Sequence, residues 1–555
     1  MHCTGRTTKE FEQNGDSMTF AYRAAPAFLR AGLLALFFLP VYGTFNTNRA
    51  LAQGHKSVCN VRDYGALGDG KTLDTRAINN AIQDCHAGGG GIVRLGPGTY
   101  LTGTIYYADN VTLDVQAGAT ILASSNLADY PRMTHASEWR DTSLIIAENV
   151  NNIGLVGKGT IDGNGRAFIS ARQVRWTPSF DVSLTRQGQV WEQRMAQSNE
   201  GPVTMGDRPG VLFVALHVKG LTIKDIHVLD SPNWTIKIGC SSHIRVKGLD
   251  VRNNMLIPNN DALDISTSSD AVVEDSYLQA GDDALVIGGP CLDGWCEAPA
   301  EHIRVHNVTL LSRSAALRIG PAFMDVRDIK VDHVRILKSN RGILIQTRSL
   351  ETLEQIDITD VNIQTGLIDG PWWGGGEPIS ISVAHCDYVS WQKVSGLGTV
   401  RHVHFARITS TSDSPIVLWG FEPGHIQDVS FDGLALSMVP DALNPILGGN
   451  LDLQPTAPVN FGVRKHDLPA ILVHGVDDLR LKGVQVKWLG AFPDFYTNAI
   501  LAEDFNNLTI KGFRGSASPS AAATLPAIQL RDGQGQVVQN ARTTAGPLLA
   551  VSKSN

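Results

Sequence analysis

Cysteine is scarce: seven in 555 residues, with no Cys-x-x-Cys and no paired His–Cys spacing. That excludes the ribbon and finger folds that a closely spaced zinc ligand set builds. Cations are not in excess. The formal net charge is −7, so bulk charge draws the chain neither to nucleic acid nor to an anionic membrane. Beyond residue 43 no apolar run is long enough to cross a bilayer. Charged residues make up 18% and hydrophobic ones 43%, which excludes a chain too polar to fold. Also missing is a run of strong helical stripes.

What is present begins with a leader. Residues 28–43, FLRAGLLALFFLPVYG, form an apolar run with Arg23 and Arg30 at its start, and Ala50-Leu51-Ala52 supplies a small-residue cleavage pattern. The reading is a secretory signal over 1–52 and a mature chain 53–555, secreted or periplasmic. Cleavage removes five basic and three acidic residues and leaves a net charge of −9 (−7 − 5 + 3). Export permits disulfides. Cys291 with Cys296 is the first candidate pair and Cys59 with Cys85 the second.

The chain repeats itself. GLTIKDIHV from 220, HIRVKGLDV from 243, HIRVHNVTL from 302, DIKVDHVRI from 328 and QIDITDVNI from 355 share one alternating pattern with a polar pair in the middle. Several successive starts are 23, 26 and 27 residues apart. Period-two strands recurring at that interval predict a solenoid whose coils stack on one core. The Leu/Asn consensus of a leucine-rich repeat is absent. The fold class expected is all-β: a right-handed single-stranded parallel β-helix. RAINNAIQDCHAGGG, from 76, predicts a short amphipathic helix capping its N-terminal end. The insertion 164–209 has no repeat and predicts a loop or subdomain beside the groove. The Ser/Ala/Pro-rich stretch 515–525 predicts a loose connection.

Two acidic stretches interrupt apolar runs: PNNDALDI at 258–265 and GDDALVI at 281–287. Burying neighbouring carboxylates is costly unless they are paired or used. The separation of 21 between Asp261 and Asp282 is about one coil, which predicts the two stacked on neighbouring strands, ~4.8 Å apart. On an ideal strand Asp283 would point away, so a kink at Gly281 is expected to turn both aspartates onto the groove. Carboxyls held that close keep a proton near neutral pH, which suits acid–base cleavage of a glycosidic bond. Taken singly, such aspartates are more often coil-corner residues; the spacing of the set argues for chemistry.

VRDYGALGDGKTLDTRAINNAI (61–82), QAGATILAS (116–124), GKGTIDGNG (157–165), SPNWTI (231–236), NNDALD and GDD, in that order, resemble glycoside hydrolase family 28, the polygalacturonase and rhamnogalacturonase family of parallel β-helix enzymes. The resemblance implies Asp282 as general acid, Asp261 and Asp283 activating water for an inverting hydrolysis, and Asn259 orienting its neighbours. It implies no cofactor and no metal. The substrate implied is a plant cell-wall polysaccharide or oligosaccharide, cut by a monomer. One domain is expected over 53–555, with its cap at about 57–123 and catalytic coils at about 145–420.

Two family motifs are altered. Where a Gly-His-Gly motif is expected stand Arg313, Ser314 and Ala315; where an Arg-Ile-Lys motif is expected, Leu344 and Gln346 replace the cations. Arg318, Arg341 and Arg348 are candidate substitutes for holding a uronate. In PWWGGGEPISIS (371–382), Trp372 and Trp373 are candidate sugar-stacking residues with Glu377 near them. His302, His306 and His385 read as structural. Two rival functions remain: a calcium-dependent β-helix polysaccharide lyase using the acidic cluster as ligands, and a carbohydrate-binding β-helix without chemistry.

Overall fold

In a computed structural model, the residues described are 57–133, 141–172, 180–289, 296–321, 324–386, 396–456 and 462–553. The predicted leader, and Cys291, lie outside them. Among the described residues, strands stack in parallel as 14-stranded and 26-stranded sheets, and the antiparallel pairs are two short ones, Ile169–Ala171 with Thr204–Met205 and Asn450–Asp452 with Val463–Lys465. The larger sheet is two columns. They join where Thr352–Thr365, Thr399–Ser412, Ile426–Met438 and Val476–Trp488 each run through both. The fold is the expected right-handed parallel β-helix, each coil giving one strand to each face.

The repeat pattern has a physical cause. Its apolar positions point inward: in HIRVKGLDV, Ile244, Val246, Leu249 and Val251 are buried. Its polar pair turns the corner. Asp275, Asn307, His333 and Asp360 occupy equivalent corners, with φ between 52° and 56°. Left-handed backbone is tolerated by Asn, Asp and Gly and resisted by branched side chains, so the corners are polar. His302 and His306 lie on this outer surface beside Asp270 and Asp332, at 3.4 and 2.9 Å.

Helix α1, Thr75–Ala87, buries Ala77, Ile78, Ala81, Ile82 and Cys85, a stripe at helical spacing that covers the open end of the core. Its Cys85 is disulfide-bonded to Cys59 on the first strand. The other expected pair is corrected: Cys296 bonds to Cys240, fifty-six residues upstream and two coils back, a pairing that spacing in sequence does not reveal. The 164–209 insertion holds helix α2, Gln189–Ala196, whose Trp191 and Met195 pack with Phe180, Leu367, Leu447 and Val463 in a small core of their own. The stretch 515–525 is not a loose connection. Ser518 donates from its backbone to Thr497 O at 2.7 Å, and coil strands continue to Leu549–Ser552. No helix among the described residues is long and apolar enough to cross a membrane.

Candidate active site

The site forms on the 14-stranded sheet, where coil strands enter Leu263–Ser266, Leu285–Ile287, Ala315–Ile319 and Arg341–Thr347. Leu263 pairs with Leu285, so the coil offset is 22, not 21. Asp261 is therefore level with Asp283, one residue beyond the expected partner. Asp282 reaches the same spot because residues 281–283 form a bend ahead of the strand. Gly281 permits the bend by close approach, not by left-handed backbone: a Cβ there would meet Ile257 O at 2.4 Å and Asn260 Oδ1 at 2.9 Å.

A buried polar frame fixes the loop. Asn253 Nδ2 donates to Asn260 O and to Thr235 Oγ1, both at 2.7 Å. Asn260 Oδ1 accepts from Gly281 N at 2.7 Å, tying one coil to the next. Ser312 Oγ donates to Asp282 O at 2.5 Å. Every member is satisfied, which is what makes such a frame rigid.

On this frame one carboxyl oxygen from each of Asp261, Asp282 and Asp283 lies within 4.8 Å of the other two. The three residues are 3%, 8% and 2% exposed. Asp283 accepts from Ala315 N at 2.9 Å and pairs with the Arg318 guanidinium. Asn259 Nδ2 reaches Asp282 Oδ2 at 3.5 Å. Asp261 Oδ1 is buried with no hydrogen-bond partner. Burial and the Asp282 charge push the Asp261 carboxyl well above the ordinary range. Burial and Asp283 push Asp282 up to about 7, against the pull of Arg318. Asp264, beside Lys237 and Arg318, is pushed by burial to about 6. Desolvation disfavours the charged form of each, and a like charge adds to it.

A cleft of about 60 Å³ opens over these groups. It brings together Asn259, Asp261, Asp282, Asp283, Ser314, Arg318, Arg341, Gln346 and Trp373. Three candidates are placed elsewhere. Arg348 is buried among carbonyls, donating to Thr347 O, Ser382 O and Leu453 O at 2.8, 3.1 and 3.0 Å, so it holds backbone in place. Glu377 is enclosed with Arg341, at 3.1 Å, and also accepts from Gly375 N at 2.9 Å. Trp372 lines a neighbouring cavity, its Nε1 donating to Glu200 O at 2.7 Å. Trp234, Gln454 and Pro455 line the cleft and were not anticipated. Trp234 sits one coil before Asp261, and that 27-residue spacing was available in the sequence. Gln454 and Pro455 arrive on a loop with no periodic signal.

An exo-poly-alpha-D-galacturonosidase of Dickeya chrysanthemi is 27% identical over 263 residues, 43% of each chain. A polygalacturonase of Ralstonia solanacearum is 26% identical over 242 residues, 39% of this chain and 45% of that one. The chain spans about half the length of the curated relatives it matches. A solved family 28 exopolygalacturonase of Yersinia enterocolitica superposes with a TM-score of 0.58 at 17% identity, over 82% of this chain and 78% of that one, which shows a shared fold. The family model for glycosyl hydrolases family 28 matches residues 99–443, more than half of the sequence and the whole of the carboxylate cluster, and the chain belongs to that family.

Proposed function

We propose that the chain is a glycoside hydrolase that cleaves pectin-type polysaccharide, exported through its leader and acting as a monomer. The observation that carries this is the trio of buried carboxyls with oxygens within 4.8 Å, one of them poised at about 7. The family membership and the names of the relatives support it. Asp282, still carrying its proton near neutral pH, donates it to the glycosidic oxygen as the C–O bond breaks. A water oxygen, held by Asp261, bonds to the anomeric carbon, and its proton passes to Asp283. Arg318 fixes Asp283 for that role.

The carboxyl spacing bears on stereochemistry. Inverting pairs usually stand about 6.5–9.5 Å apart and retaining pairs about 5–5.5 Å. The oxygens here are closer than either range, but three carboxyls are present, and the water is assigned to a pair of them. Inversion is the outcome proposed. The anomer released first, read by proton NMR, tests it: retention would instead assign one aspartate as nucleophile.

Leu344 and Gln346 line the cleft where the family motif supplies cations. Arg341, which also lines it, is already paired with Glu377. The cleft therefore fits a neutral sugar or an esterified uronate next to the scissile bond better than a free uronate.

The lyase reading has one specific observation in its favour: the same three carboxylates have the reach of a cation site. Reducing-sugar release on homogalacturonan and rhamnogalacturonan, with ultraviolet absorbance and a chelator arm, separates the readings. Release without new absorbance, abolished in Asp282→Asn, supports hydrolysis. Absorbance growth that chelation stops supports elimination.

A further inference from the structure

Beside the catalytic cleft lies a second cavity, of about 150 Å³, lined by residues of helix α2 and the Phe180 turn, of the Gly-rich tryptophan loop, and of the 447–454 and 463–468 stretches. The two cavities share Trp373 and Gln454 as a common wall. Phe180, Trp191, Trp372, Leu367 and Ile368 are among its apolar lining residues, and among the described residues no Lys, Arg or His lines it. Its one carboxylate among the described residues, Asp452, is already engaged: Oδ2 accepts from Gly374 N at 3.1 Å and stands 3.8 Å from Arg341 Nη2, and Oδ1 accepts from Gln454 N at 2.9 Å. A free uronate would meet no lining cation among the described residues, at a large desolvation cost. An aromatic ring would exchange water for indole and aliphatic surface.

We propose that this cavity is a specificity subsite for an aromatic acyl ester carried by the sugar chain bound in the catalytic cleft. The inference rests on the polysaccharide reading of that cleft. The sugar occupies the polar cleft over Asp261 and Asp282, and its ester group crosses the Trp373–Gln454 wall into the apolar cavity. Ile368 and Val463 belong to different elements of the lining and set its free volume.

The test uses the full chain carrying Asp282→Asn, so that binding is read without turnover. Dissociation constants are measured by calorimetry for a methyl-esterified galacturonate oligosaccharide and for the same oligosaccharide bearing one benzoyl ester. The esterified probe is expected to bind about tenfold more tightly, the gain from burying a few carbons of apolar surface. Ile368→Trp and, separately, Val463→Phe fill the cavity and should bring the ratio of the two constants to about one; thermal melts establish which variant is folded. Equal affinities in the unfilled protein, a preference that survives filling in a folded variant, or binding of neither probe would overturn the proposal. Tight binding of the ester by a chain that cleaves no substrate in its wild-type form would uphold the subsite and remove the hydrolase reading instead. Cleavage with no ester preference would do the reverse.

Discussion

Replacing Asp282 by Asn should stop the reaction and stabilise the protein at the same time. The carboxyl is 8% exposed, and burial with the Asp283 charge raises it from the ordinary 3.8 to about 7. At ~1.36 kcal/mol per pH unit, that displacement amounts to roughly 4 kcal/mol. The sign follows from linkage. Below pH 3.8 the group is protonated in both folded and unfolded chains and costs nothing. Between 3.8 and about 7 the unfolded chain ionises and the folded one does not, so stability falls as pH rises. Above about 7 the whole cost is present. Asn has the shape of Asp and no charge to desolvate. Urea unfolding at pH 4.5 and pH 8 should show Asp282→Asn close to wild type at the lower pH and more stable, by up to about 4 kcal/mol, at the higher. Asp264 and Asp452, each at about 6, and Asp413, at about 7, share the sign, so a reduced slope remains in the variant. A variant with the wild-type pH slope, or one less stable at pH 8, would refute the claim that Asp282 is held protonated by its surroundings.

Other expectations follow from the same geometry. The rate should fall as pH rises through about 7, where Asp282 loses its proton, and a pH–rate profile flat to pH 9 would contradict the acid role. Arg318→Leu leaves Asp283 buried without its cation; it should cost about 3–5 kcal/mol in urea unfolding and lower kcat by roughly a hundredfold. Gly281→Ala forces a Cβ to within 2.4 Å of Ile257 O and should cost more than about 2 kcal/mol, with activity falling because the bend carries both aspartates. Arg348→Met should lower the melting temperature strongly, because it leaves the carbonyls of Ser382 and Leu453 without their donor.

How far the sequence could be read depended on how local the cause was. The coil strands were legible because inward Ile and Val alternate with solvent-facing polar residues, and the corners because left-handed backbone selects Asp, Asn and Gly. The α1 stripe was legible for the same reason, with Ala77, Ile78, Ala81, Ile82 and Cys85 at helical spacing. The carboxylate cluster was legible as a set, but its register was off by one. A coil's length is fixed by the bend at Gly281, which no periodicity encodes. Pairing of Cys296 with Cys240, the enclosure of Arg348 and Glu377, and the arrival of Gln454 and Pro455 all depend on contacts between distant coils. Trp234 is the exception: its one-coil distance from Asp261 was in plain view.

The central claim is that the three aspartates cleave a glycosidic bond. Reducing ends released from homogalacturonan and from its esterified form by the full chain, compared with Asp282→Asn, test it most directly. Release by the wild type, a fall of at least about a hundredfold in the folded variant, and no unsaturated product are expected. Equal release by the two proteins, or a product that absorbs in the ultraviolet, would contradict it.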